Sequence, residues 1–266
     1  MKPVRLMSFN VRYDTATDGA HNWAHRRRLV ADTIRYHDPD VVGVQEAMTH
    51  QLRELEVMLP AYEWAGDARD AAVPSGEHTA VGYRRARFGP PETDTFWLSE
   101  TPEVAGSVGW DARHPRVATW VRLRERGADR ALAVLNTHLD HAGERARRRG
   151  IALALSRLAD LVDDDAVALC GDFNCPVGGP AHAAASGYAL PGGRRLCDSR
   201  RLAPHRHGPT TTRTDFEDLL PDMGIDHVFV SDDAAVTGWS AVTDRDDAHY
   251  ASDHLPVVVD CEFQAR

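Results

Sequence analysis

In the stretch CGDFNCP, residues 170–176, a carboxylate and an amide stand two positions apart, Asp172 and Asn174. At the end of a strand that spacing points both side chains to one side, which suits a metal site, a turn or a phosphate-cleaving site. GDFN read alone is equally a turn, since Gly, Asp and Asn all suit turns. More polar residues stand at the tips of other apolar runs. Asn10 follows LMSF, Glu46 follows VVGVQ, His138 follows LAVLNT, Asp226 opens IDHVFV, and Asp253 with His254 stands just before LPVVVD. If the late strands run antiparallel to the early ones, one rim gathers all of them. Carboxylates crowded in this way need a compensating cation, and oxygen ligands favour a hard divalent ion, Mg²⁺ or Mn²⁺.

Each residue also has an ordinary structural reading. Asn10 suits an Asx-turn, Glu46 suits the first turn of a following helix, and a lone His138 is most often a core histidine. The SDH of 252–254 suits an Asx motif before Pro256. The placement of the whole set at strand tips, in segments otherwise apolar, favours a site.

The elements that must position these residues are legible from periodicity. Strands are predicted at 4–11, 39–46, 130–141 and 166–174, with late strands at 225–231 and 255–263. Helical spacing marks 24–37, 49–59 (ended by Pro60) and 144–162. Between 78 and 125 three extended segments, 78–85, 92–99 and 116–125, follow one another without helices. Strands joined partly through helices and partly through hairpins predict an α/β or α+β layered sandwich. No repeat, low-complexity tract or linker divides residues 1–266, so one domain is expected.

The bulk properties narrow the function classes. The chain of 266 residues is 42% hydrophobic and 27% charged, with a net charge of −9. That balance argues against non-specific binding of long nucleic acid, which draws on a basic surplus. The basic runs HRRR (25–28) and RARRRG (145–150) fall on predicted helices, where a solvated face is the expectation. No apolar run approaches the ~20 residues that span a bilayer, and the N-terminus carries no signal-like apolar region. Cys170, Cys175, Cys197 and Cys261 form no CxxC pair; reduced thiols in a cytoplasmic protein are expected, and zinc is not.

Six motifs in order, SFNVR, DPDVVGVQE, NTHLDH, GDFN, IDHVFV and SDHLP, resemble the endonuclease/exonuclease/phosphatase superfamily with its DNase I-like fold, from Val4 to about Phe263. The resemblance implies a four-layer αββα sandwich of two packed mixed sheets and metal-dependent hydrolysis of a phosphoester. It makes Glu46 the principal metal ligand, with Asn10 close by and Asp253 as a further metal-side carboxylate. Asp172 would orient or deprotonate the water, and Asn174 would hold that water or a phosphate oxygen. His138 and His254 would donate to the phosphoryl oxygens, and Asp226 would hold His254. The THLDHAGERARRRG segment is similar to the deadenylase/nocturnin branch. By the same analogy Arg116, Tyr83 and His141 are candidate substrate-binding residues, and Trp23, His114 and the loop 204–216 are expected at the rim. His227 and Gly224 depart from the residues common in relatives and put the leaving-group side in doubt.

The reading is a Mg²⁺- or Mn²⁺-dependent phosphohydrolase, foremost a phosphodiesterase acting on a small or short organic phosphoester. A nuclease or deadenylase-like enzyme on short RNA or DNA is the alternative, and a non-catalytic binding module of the same fold is the third. No membrane insertion is expected, and the oligomeric state is not legible.

Overall fold

The structure is a computed structural model that describes residues 2–70, 76–127, 130–246 and 249–264. In chain order, β1 (Val4–Asn10) leads through α1 (Trp23–His37) to β2 (Val41–Gln45), then the short β3 (Ala47–Met48) and α2 (Thr49–Met58). Next come β4 (Tyr62–Ala65), β5 (Glu77–His78), β6 (Val81–Arg84), β7 (Glu92–Trp97) and β8 (Val117–Arg124). β9 (Ala131–His138) leads through α3 (Glu144–Leu161) to β10 (Ala166–Asp172). The last third holds α4 (Pro180–Ala185), β11 (Leu196–Asp198), α5 (Ser199–Leu202), β12 (Arg206–His207), β13 (Asp226–Ser231), β14 (Ala234–Ala241) and β15 (Val257–Phe263).

Two mixed sheets result, in the orders β12-β14-β15-β1-β2-β6-β4 and β11-β13-β10-β9-β8-β7; β3 and β5 form a small separate pair. Each large sheet is built around one parallel pair joined by a helix, β1 with β2 and β9 with β10. Such a pair requires a crossover, and α1 and α3 supply it. β15 then pairs antiparallel with β1, and β13 antiparallel with β10. The late strands therefore begin at the rim where the early ones end, as the strand-tip argument requires.

The four layers follow from strands that are apolar on both faces. In β1, Val4 and Leu6 enter the core between the sheets, while Met7 and Phe9 pack beneath α1 and α2. In β10, Ala166, Ala168 and Cys170 face the other sheet, while Val167 and Leu169 pack beneath α3 and α4. Just below the rim the sheets are also tied by buried amides. Gln45 Nε2 donates to Asn136 Oδ1 at 2.7 Å, and Asn136 Nδ2 donates to the carbonyls of Val44 and Ala80 at 2.9 and 2.8 Å. Gly43 makes room for this link, because a Cβ there would lie 2.8 Å from Asn136 Cγ.

Three local readings are corrected. The HRRR run is not wholly solvated: Arg26 is fully buried and donates to the carbonyls of His21, Val11, Arg12 and Ala251. It thereby joins the chain leaving β1 to the chain approaching β15. Trp23 is a core residue, not a rim residue, with its indole N–H donating to Glu54 Oε2 at 3.0 Å. β14 lies where no strand was predicted. Its sequence, AAVTGWSA, is small and polar, and it buries mainly Val236, Trp239 and Ala241, so it carries little apolar signal.

Candidate active site

Three site residues are set side by side by strand register. Asp172 at the end of β10 pairs with His138 at the end of β9 and with Asp226 at the start of β13. Gly171 has to be glycine for this to occur: its φ is +148°, and a Cβ would lie 2.0 Å from the carbonyl oxygen of Thr137. The glycine of GDFN is thus explained by a close approach of backbone. Asn174, with φ +46°, turns back so that its amide nitrogen donates to the carbonyl of Leu139 at 2.9 Å and lies 3.2 Å from His138 Nε2. Its backbone N–H donates to Asp172 Oδ1 at 2.8 Å.

The opposite sheet supplies Asn10 and Glu46. Glu46 has φ +64°, a left-handed conformation costing about 1 kcal/mol for a residue with a Cβ. That turn takes the carboxylate out of line with β2 and into the cleft, and the strand β3 separates it from α2, so it is not a helix-capping acid. Asn10 Nδ2 donates to Glu46 Oε1 at 3.0 Å and to Asp172 Oδ2 at 3.1 Å, while its Oδ1 accepts the Arg12 N–H. Asn10 therefore enters the group through its amino nitrogen and bridges the two acids.

Ligand atoms of Glu46, His138 and Asp172 lie within 4.8 Å of one another. The donor set is two carboxylates and one imidazole, which fits a hard divalent ion. Burial, reinforced by Arg116 and Arg69, holds the His138 imidazole well below its ordinary pKa and so neutral. It therefore offers no cation to balance the carboxylates. Burial also pushes Asp172 up to about 6, against the attraction of His254.

His254 behaves in the opposite way. Burial disfavours its imidazolium, but Asp226 and Asp172 outweigh that and push it up to about 9. Nδ1 lies 2.9 Å from Asp226 Oδ2, which also accepts from the Thr212 hydroxyl at 2.6 Å. This fixes the ring with Nε2 toward the cleft, where Arg213 Nη1 lies at 2.5 Å. A protonated Nε2 and a guanidinium N–H this close repel unless both donate to one anionic oxygen in front of them. That point is a ready position for a phosphoryl oxygen.

A cavity of about 670 Å³ opens over these groups. Arg12, Arg69, Arg113, Arg116 and Arg213 reach its wall, as do His114 and His141. Arg116 and His141 thus line this cavity, with Arg116 Nη2 at 2.9 Å from His141 Nδ1. Tyr83 does not: it is 4% exposed, belongs to the core between the sheets, and its hydroxyl donates to Glu63 at 2.8 Å. β6 is an interior strand of its sheet, so its side chains have a core to fill. Asp253 is also reassigned. It faces Arg213 at 3.1 Å and Arg12 at 4.0 Å, so these guanidiniums draw it away from the Glu46 group.

Arg12, Arg213, Arg69, Thr212 and Glu77 were not singled out from the sequence. Arg213 and Thr212 sit in the 204–216 loop expected at the rim, but nothing in TTTR distinguishes them. Arg12 stands two residues after Asn10, and that position is the available signal. Cys170 and Cys175 are both buried; the histidine following Asp226 packs inside as well, with His227 Nε2 at 2.8 Å from the carbonyl of Cys175.

A model of the Endonuclease/Exonuclease/phosphatase family matches residues 7–254. The fold superposes on an endonuclease/exonuclease/phosphatase from Bacteroides vulgatus with a TM-score of 0.92 and 30% identity, covering 99% of this chain and 100% of that one. A mannosyl-6-phosphatase of Bacteroides thetaiotaomicron gives a TM-score of 0.91 at 32% identity, covering 98% and 100%. Nocturnin of Drosophila melanogaster is 26% identical over 214 residues, 70% of this chain but 31% of that protein's length. The chain belongs to the endonuclease/exonuclease/phosphatase family, whose members are phosphoric ester hydrolases.

Proposed function

We propose that the protein is a Mg²⁺- or Mn²⁺-dependent hydrolase of small, polar organic phosphoesters, acting on a terminal phosphate in preference to a diester, with the whole chain as one catalytic domain. The observation that carries this reading is the cavity of about 670 Å³ over the Glu46–Asp172 pair, with Arg12, Arg213 and His254 in the wall beside the two acids. A terminal phosphate presents more charge to these donors than a diester does, and a short cavity suits a small body. Likeness to a mannosyl-6-phosphatase supports the same direction. The overall charge of −9 weighs against the nuclease alternative.

Glu46 is the residue that would hold the ion, with Asp172 and His138 bounding the same space. A divalent ion there supplies charge neutralisation for the phosphate and its leaving oxygen. The remaining work falls to the chain. Asp172, next to the space where a water must stand, takes the water's proton as it attacks phosphorus. Asn174 and neutral His138 orient that water. Cationic His254, held by Asp226 and Thr212, donates with Arg213 to the phosphoryl oxygens as their charge grows.

Release of inorganic phosphate from hexose 6-phosphates is expected to require Mg²⁺ or Mn²⁺, to stop in EDTA, and to exceed release from bis-p-nitrophenyl phosphate and single-stranded DNA. Metal-dependent cleavage of the diester or the DNA at equal or higher kcat/KM would refute the monoester preference. Asp172→Asn is expected to lower kcat by about 10²–10⁴. Linkage gives the sign of its effect on stability: the folded pKa, about 6, lies above the ordinary 3.8, so ionising Asp172 costs stability as pH rises from about 4 to 6. In EDTA at pH 7.5 the variant therefore melts no lower than wild type in a thermal scan, and a clear drop would contradict this. The profile of kcat/KM against pH is expected to fall on the alkaline side near 9, as His254 loses its proton. Its acid limb lies at or below about 6, because a bound cation lowers Asp172 further.

A further inference from the structure

Along the rim of the six-stranded sheet the cavity wall changes character. Asp226, Asp172 and His138 occupy the tips of β13, β10 and β9, and Arg116 stands just before the next strand, β8. β8 lies two strand spacings from β10, roughly 10 Å. Asp172 and the Arg213–His254 donors therefore occupy one end of the cavity, and a separate cationic group occupies the other.

That second group is Arg69, Arg113 and Arg116, with His114 and His141 at the mouth. Arg116 is 5% exposed, and its Nη1 has no hydrogen-bond partner among the described residues. Its Nε lies 3.4 Å from Asp140 Oδ2, the one carboxylate that pairs with it among those residues. Arg69 Nη2 pairs with Glu77 Oε1 at 2.5 Å, and its Nε lies 3.6 Å from Asp70 Oδ2. Arg113 has no ion-pair partner among the described residues, although its backbone N–H donates to Asp140. The rings of His114 and His141 stack at 5.9 Å beside these guanidiniums. Among the described residues Asp140, Glu77 and Asp70 are taken up by Arg116 and Arg69, which leaves Arg113 without a carboxylate and Arg116 Nη1, buried in the wall, without an acceptor. A buried guanidinium N–H without an acceptor is costly, and the acceptor that fits this fork geometry is a carboxylate or phosphate. The phosphate that is cleaved cannot supply it, because attack by the water beside Asp172 and contact with His254 hold that phosphate at the other end.

We propose that the Arg69–Arg113–Arg116 wall is a second anion subsite, so that preferred substrates are small phosphoesters carrying another anionic group, a second phosphate or a carboxylate, on the same polar body. The inference rests on the phosphoesterase reading above and specifies its substrate class. The subsite orients the substrate from the end that does not react. It adds binding for dianionic bodies and contributes nothing to a neutral sugar ring.

Glucose 1,6-bisphosphate and glucose 6-phosphate are the probes. Calorimetric binding to Asp172→Asn protein in Mg²⁺ judges the subsite without turnover. The bisphosphate is expected to bind about tenfold tighter or more. Adding Arg113→Ala, an exposed position, should cut that preference to about threefold or less. Equal affinities, or a preference that survives Arg113→Ala, would overturn the subsite. The ratio of kcat/KM for the two sugars in wild-type protein should show the same preference. If neither sugar releases phosphate with Mg²⁺ or Mn²⁺ while the binding preference holds, the hydrolase reading fails and the subsite stands.

Discussion

Two carboxylates from different sheets meet in one cleft, and their mutual repulsion organises the site. Ligand atoms of Glu46 and Asp172 lie within 4.8 Å, where like charges repel by about 3 kcal/mol at an effective dielectric near 20. Asn10 relieves part of this by donating to both acids. The neighbouring His138 cannot, because burial and two nearby guanidiniums keep it neutral. The left-handed backbone at Glu46 adds a conformational cost to the electrostatic one. A divalent cation would offset both, and it is the cofactor proposed here for phosphoester hydrolysis.

The fold makes this meeting possible through two similar units. β1-α1-β2 and β9-α3-β10 each send two parallel strands to the same rim, and β15 and β13 start there beside them. Packing the sheets face to face brings the two rims together, and the Gln45–Asn136 link fixes their spacing just beneath the acids. Arg26, buried under the loops, ties the exit of β1 to the approach to His254. Candidate catalytic groups from distant parts of the chain are thereby held at strand ends.

What could be read in advance follows from contrast. Asp172, His138, Glu46 and Asn10 each interrupt an apolar strand, so a polar residue there stands out, and the layered α/β sandwich follows from the same strands. The arginines were hard to sort because the chain has so many, and their value depends on which carboxylate each one meets. Asp253 illustrates this: its position in SDH resembles a metal-side acid, but Arg213 and Arg12 decide its role. Tyr83 and Trp23 are amphipathic rings whose destination, core or cleft, depends on the neighbouring strand and helix. β14 was silent because its burial falls on a few small or isolated side chains.

The central claim is that the Glu46–Asp172 space is built for a divalent ion. Calorimetric titration of metal-stripped protein with Mn²⁺, wild type against Glu46→Gln, tests it most directly. The account predicts saturable binding by wild-type protein, weakened at least about tenfold in the variant, with the fold intact by circular dichroism. Equal Mn²⁺ affinity in the two proteins, or no binding by wild type, would contradict it.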